Sequence, residues 1–378
     1  MKKSIIFIFI IVCIIVAGLF YRQFLVSRPA EKIYVAVEGE SKIAVLDSAT
    51  QKIVSTIDLS IKHEGGRLPY APHNVQVGPD MKMVWVTANS GAHQDHVSGF
   101  FPSVYAHGGA EDQDAAPDVV IVIDPQTDRI IERIPMGYNL HLAHVVLTPD
   151  SLTALVTAQN EGTIYKINAR TFVIEKKISI PSALPDGVSV EPHGLRVSPD
   201  GSAAYIAILQ GKSLGILDLK TNDLEIMPLA GAAVQAGVTP DGKIVFVSLY
   251  DTKELALYLI DTKEIKKVKL PTGAKGPVQM YPTPDSRFVY LADQGYYFGQ
   301  PASEWVYKID LQKFEVVKEI KAGSGPHGIV VSPDGMRVYV TNLLSGDVSI
   351  INTAANEEIG RIKVGKEPNG ISVWVNNK

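Results

Sequence analysis

The chain has 378 residues, 46% of them hydrophobic and 20% charged, with a formal net charge of −4. That balance fits a globular protein with a large core and excludes a disordered chain. Mild acidity without a basic cluster argues against nucleic acid as a partner.

Lys2 and Lys3 precede an unbroken apolar run from Ile5 to Phe20, followed by Tyr21 and Arg22. A positive n-region before an apolar core is an export signal. Its length is borderline for spanning a bilayer. Residues 1–25 therefore read either as a signal anchor or as a signal peptide cleaved near Val16-Ala17-Gly18. The lipoprotein reading fails, because Ile10-Ile11-Val12 before Cys13 lacks the small residue that a lipobox needs. Residues 26–31 form a tether. The body is expected outside the cytoplasm, in the periplasm or on the outer face of the membrane, with the amino end inside. Cys13 is the only cysteine, so the body has neither disulfides nor thiolate metal sites.

From residue 32 onward one unit recurs about every 45 residues, a period that four short strands fill in a β-propeller. One strand type appears seven times: IYVAV, VWVTA, ALVTA, AYIAI, VFVSL, VYLAD and VYVTN. Each reads as a half-buried strand. A hairpin that follows has Asp47, Asp124, Asn168, Asp218, Asp261, Asp310 or Asn352 at its turn, where an Asx side chain satisfies turn amides. The hairpin before it turns at Pro-Asp, at 79–80, 149–150, 199–200, 240–241, 284–285 and 333–334. The first unit lacks its innermost strand. Pro368 to Trp374 repeats the start of PHGIVV and supplies it, and pairing 371–375 with 33–37 closes the ring and removes the open sheet edge. The fold class is all-β: a seven-bladed propeller over 32–378 of four-stranded antiparallel blades, with an N-terminal apolar signal or anchor helix.

Val338-Tyr339-Val340-Thr341-Asn342 after Pro333-Asp334-Gly335 resembles the YVTN-type β-propeller repeat family, and the resemblance covers roughly 32–378. Related propellers include the haem d1 domain of cytochrome cd1 nitrite reductase, nitrous oxide reductase and lactonases. The resemblance implies the fold; propellers host many unrelated activities.

Loops alternate between the two ends of each blade. The longer ones, 61–70, 90–117, 182–191 and 294–304, share the end opposite the Pro-Asp and Asx turns, which marks the functional face. Counting back seven or six residues from each turn Asp gives a His, Asn or Gln in every blade where the chain reaches the channel. The ring is His73, His144, His193, Gln235, Gln279, His327 and Asn369, with His141 just outside. Neutral imidazoles converging there point to a metal ion (Cu, Zn or Fe) or the iron of a haem d1-like tetrapyrrole; a polar lining of a wet channel is the plain alternative. The insertion 90–117 carries His93, His96 and His107 with nearby carboxylates, a second metal candidate of no established spacing. It also reads as a lid packed through Phe100, Phe101 and Tyr105, facing Tyr296, Tyr297 and Phe298, with a small local core as the plain alternative for those aromatics. Arg67 and Arg196 are anion-clamp candidates, or else ion-pair residues.

The chain has no Walker loop, GxSxG, HExxH or CxxCH. The leading reading is an exported binding or scaffold protein, tethered to the membrane through its N-terminal segment, monomeric, with partners in the cell envelope. The alternatives implied by the resemblance are a haem d1-type or copper redox enzyme, or a lactonase-like hydrolase.

Overall fold

A computed structural model describes residues 29–63, 66–91, 116–185 and 187–376. Seven four-stranded antiparallel sheets make the body. Their innermost strands are Pro368–Val375 in blade 1, Tyr70–Val77 in blade 2, Leu142–Leu147 in blade 3 and Pro192–Val197 in blade 4. Those of blades 5, 6 and 7 are Ala233–Val238, Pro277–Pro282 and Pro326–Val331. Blade 1 is stitched from both termini: the C-terminal strand pairs antiparallel with Glu31–Val37, with Ile33 opposite Val373 and Val35 opposite Ile371. The apolar run 5–20 lies outside the described residues, and no helix among those described is long and apolar enough to cross a membrane.

The apolar cores lie between neighbouring blades. Tyr34, Ile43 and Val45 of blade 1 meet Val75, Val84 and Ile121 of blade 2, and similar clusters fill the other junctions. Each blade is therefore covered on both faces. This corrects the half-buried reading of the recurring strand: in Arg337–Asn342 every residue after the first is buried, with Tyr339 and Val340 fully so. The outermost strand alternates between exposed and half-buried residues, as in Glu357–Lys363. Each fully buried aliphatic side chain contributes about 1.5–3 kcal/mol, so the junctions hold the ring together.

The turn chemistry follows the sequence at six outer hairpins. Asp47, Asp124, Asn168, Asp218, Asp310 and Asn352 each accept the backbone N–H two residues on. Asp261 does not fit. In blade 5 the Lys263 N–H closes the turn on the Leu259 carbonyl, the bond that Gln51 makes to Asp47 in blade 1. Leu259 thus holds the Asx place and Asp261 falls two residues late.

Every innermost strand begins with a β-bulge, where two residues oppose one on the neighbouring strand. The opposing residue in four blades is a hydroxyl. Thr341 Oγ1 accepts from the Gly328 N–H at 2.7 Å and donates to the Asn369 carbonyl of the next blade at 2.7 Å. Thr87, Thr157 and Ser248 repeat this staple toward Ala143, His193 and Val278. A bulge frees ladder groups from pairing, and the hydroxyl satisfies one on each side of a junction.

Replacing Thr341 by Val leaves a buried N–H and a buried carbonyl without this partner, a loss of about 1–3 kcal/mol. Urea denaturation is expected to show that loss for Thr341→Val and little change for Thr341→Ser. At the inner turns, hydrogen bonds from Thr148, Ser198 and Ser332, then from turn amides, hold Asp150, Asp200 and Asp334 below the ordinary aspartate value of 3.8. A depressed carboxyl contributes stability above its unfolded value and loses it as the pH falls toward its folded one. The melting temperature should drop on acidification below 3.8, and Asp→Asn changes at these three turns should flatten that acid limb.

Candidate functional site

The bulge explains why polar residues could stand at either of two adjacent positions and still reach the channel. In a regular strand consecutive side chains point to opposite faces, and a bulge breaks that alternation. His73, His193, His327 and Asn369 occupy the first position; His144, Gln235 and Gln279 occupy the second. All seven are buried, His144 completely. Where the second position is glycine, the next blade fills its place. A Cβ on Gly328 would lie 2.1 Å from the Asn369 carbonyl oxygen, and one on Gly370 would lie 2.7 Å from Asn74 Cα.

The structure brings three of the four ring histidines together. His73, His144 and His193 each present a nitrogen, and those nitrogens lie within 4.8 Å of one another. Ring centroids are 6.0 Å apart for His73–His144, 5.6 Å for His73–His193 and 5.1 Å for His144–His193. His141, expected just outside the ring, packs edge-on against His73 at 5.9 Å. His327 is turned elsewhere, its Nδ1 lying 2.6 Å from Gln294 Oε1. Gln235 and Gln279 line the other half of the channel, and Gln235 Nε2 donates to the Ala236 carbonyl at 2.9 Å.

The partners of the imidazoles fix which nitrogen faces the centre. His193 Nδ1 lies 2.8 Å from the Val234 carbonyl, so that nitrogen carries the proton and Nε2 presents a lone pair. His73 Nδ1 stands 3.5 Å from Glu38 Oε1 and 3.2 Å from Asn369 Nδ2, and that amide also donates to Glu38 Oε2 at 2.7 Å. His73 Nε2 and both nitrogens of His144 are buried without a hydrogen bond among the described residues. Burial, then the neighbouring His193 and His73, hold His144 well below the ordinary histidine value; burial, then His73, bring His193 down to about 3. His144 and His193 are thus held in the neutral form in which histidine ligates metals.

Two groups here carried no sequence signal. Glu38 follows the first strand in a short 3-10 turn, Glu38–Glu40, and Gln294 ends a strand of blade 6. Their placement on the channel side of a blade loop could have flagged them. Tyr297 packs against a small local core of Val234, Tyr250 and Val278 at the mouth, one of its two expected placements. Arg67 is an ion-pair residue, bound to Asp58 and Ser60. A cavity of about 780 Å³ opens on the same face between blades 7, 1 and 2, with Glu38 and Glu367 in its wall. His93, His96, His107, Phe100, Phe101 and Tyr105 lie outside the described residues.

A buried imidazole with both nitrogens unsatisfied costs stability, about 1–3 kcal/mol per unmet group. His144→Leu is therefore expected to melt at a higher temperature than the parent protein when both are measured in a chelator, whereas a folding role for His144 would lower it.

Solved structures with the same architecture include hydrazine synthase of Kuenenia stuttgartiensis, with a TM-score of 0.65 and 17% identity over 85% of this chain and 92% of that one. Dihydro-heme d1 dehydrogenase NirN, in complex with DHE, gives 0.58 and 15% over 89% and 64%. A streptogramin B lyase gives 0.60 and 14% over 80% and 90%. At these identities the likeness is one of fold. Uncharacterised proteins from two strains of Staphylococcus epidermidis are 26% identical over 215 residues, 49% of this chain. The chain matches 58% of the length of those relatives. The family model described as YNCE-like beta-propeller matches residues 113–377, and the chain belongs to that family.

Proposed function

We propose that this protein is a metal-binding β-propeller that holds one divalent transition-metal ion on His73, His144 and His193. The observation that carries the reading is the convergence of three buried imidazoles to within 4.8 Å of one another. Metal–nitrogen bonds of about 2.0–2.1 Å in a tetrahedral site put ligand nitrogens roughly 3.4 Å apart. The widest pair would then close by at most about 1.4 Å, which side-chain torsions can supply. The Val234 carbonyl on His193 and the Glu38 carboxylate beside His73 are the partners that orient metal-bound imidazoles and raise their basicity.

An all-imidazole set suits zinc, copper, iron or nickel. Three protein ligands leave a coordination position for water or a small ligand. The tight burial of the imidazoles and the packing of Tyr297 at the mouth favour an ion over a tetrapyrrole, whose macrocycle needs a slot beside the ligating ring. The apolar run after Lys2 and Lys3 supports placing this propeller outside the cytoplasm, as an anchored or released protein. The closed ring, with no unpaired inner edge, supports a monomer.

Titration of the chelator-treated protein with Co²⁺ or Zn²⁺ should show one tight equivalent. Bound metal should raise the melting temperature in proportion to RT ln(1 + [L]/Kd). His193→Ala and His144→Ala should each weaken binding about 100-fold or more, and His327→Ala should leave it nearly unchanged. Altering an orienting partner such as Glu38 should cost roughly 10–100-fold. Wild-type protein that takes up no metal, or His193→Ala protein that binds as well as wild type, would refute the assignment.

A further inference from the structure

The far mouth of the channel holds a second constellation. The innermost strands end there in the Pro-Asp turns, whose prolines ring a cavity of about 500 Å³. Four residues before each turn Asp, a further tier of side chains meets the channel. Its polar members are Gln76, Arg196, Tyr281 and Ser372, and all four line this cavity.

Arg196 is the anomaly. Its one hydrogen bond runs from Nη1 to the adjacent Leu195 carbonyl at 3.1 Å. The guanidinium stands 6.0 Å over the Tyr281 ring. It has no carboxylate partner among the described residues. Burial holds its pKa below the ordinary arginine value, with Tyr281 offsetting part of the effect, yet a guanidinium stays protonated in proteins. No acidic residue lines the cavity. Arg196 is half-buried at the cavity wall, and a charge partly withdrawn from water favours a counter-charge that the described residues do not supply.

We propose that the Pro-Asp mouth is a binding site for a small organic monocarboxylate, clamped by Arg196. The planar fork of a guanidinium matches a carboxylate with two parallel hydrogen bonds. One unpaired cation matches one negative charge. A phosphate would call for a second cation, and the cavity wall has no lysine and no other arginine. Gln76, Tyr281 and the Ser372 hydroxyl stand beside the clamp as further hydrogen-bonding groups. Phe246, Met280, Val238, Val331 and Val373 form the rest of the wall and suit a hydrocarbon or aromatic body. The site shares no residue with the imidazole cluster, so either assignment can fail alone.

The test is calorimetric titration of the full-length protein, in low-chloride buffer, with benzoate and hexanoate as probes and with acetate and inorganic phosphate for comparison. Benzoate or hexanoate should bind with one equivalent, at least 10-fold tighter than acetate or phosphate, and should raise the melting temperature saturably. Arg196→Met keeps the stem and removes the charge, and should weaken binding about 100-fold or more. Its melting temperature without ligand should equal or exceed that of wild type, because the charge removed was unpaired. Arg196→Lys, which keeps the charge but loses the fork, should weaken binding about 10-fold and serves as the variant if Arg196→Met does not fold. The proposal is overturned if no probe binds below millimolar concentration, if phosphate binds as well as benzoate, or if the Arg196 variants bind benzoate as tightly as wild type.

Discussion

The hydroxyl staple at the bulges is the interaction on which the rest of this structure depends. Seven strands approaching a common axis crowd their backbones, and the bulge that opens each of them gives up ladder hydrogen bonds just where neighbouring blades come closest. A Thr or Ser Oγ that accepts from its own blade and donates to the next replaces a bond on each side, at Thr87, Thr157, Ser248 and Thr341. This gives a physical meaning to the threonine of VYVTN. It also fixes the azimuth at which each pair of bulge side chains meets the channel, so scaffold and site share one cause.

The channel carries opposite chemistry at its two ends. Buried imidazoles gather where the innermost strands begin, and a guanidinium stands where one of them ends. Each end holds groups that a sequence selected only for folding would avoid: the unsatisfied nitrogens of His144 and the unpaired guanidinium of Arg196. The apolar junctions between blades, with Tyr34, Tyr165, Tyr290 and Tyr339 fully buried, offset such local costs. Apolar packing thus lies between the blades, and these polar groups lie along the axis.

The fold was legible because its signals are local and repeated. Pro-Asp turns, Asx turns and apolar strands recur in order, and the orphan strand at Pro368–Val375 finds its partner by elimination. The single misplacement, Asp261, came from trusting residue type over register in a turn that Leu259 closes through its backbone. The ring residues were legible as positions, by counting from the turn. Which of them meet was not. Whether His327 joins His73 or turns to Gln294 depends on side-chain torsions and on a partner from another strand. Glu38 was silent for a similar reason, since one glutamate in a short turn carries no periodic mark.

Stitching blade 1 from both termini sets an order of events during synthesis. Glu38 is made 331 residues before Asn369, its hydrogen-bond partner. Until Asn369 is made the first blade lacks its axial strand, and His73 lacks the amide that flanks its Nδ1. Contacts of such sequence separation form late, because the loop they close must be ordered first. A chain lacking Pro368–Val375 would keep six complete blades and still lack the Asn369 amide beside His73. The strand that closes the ring therefore also completes the surroundings of that imidazole.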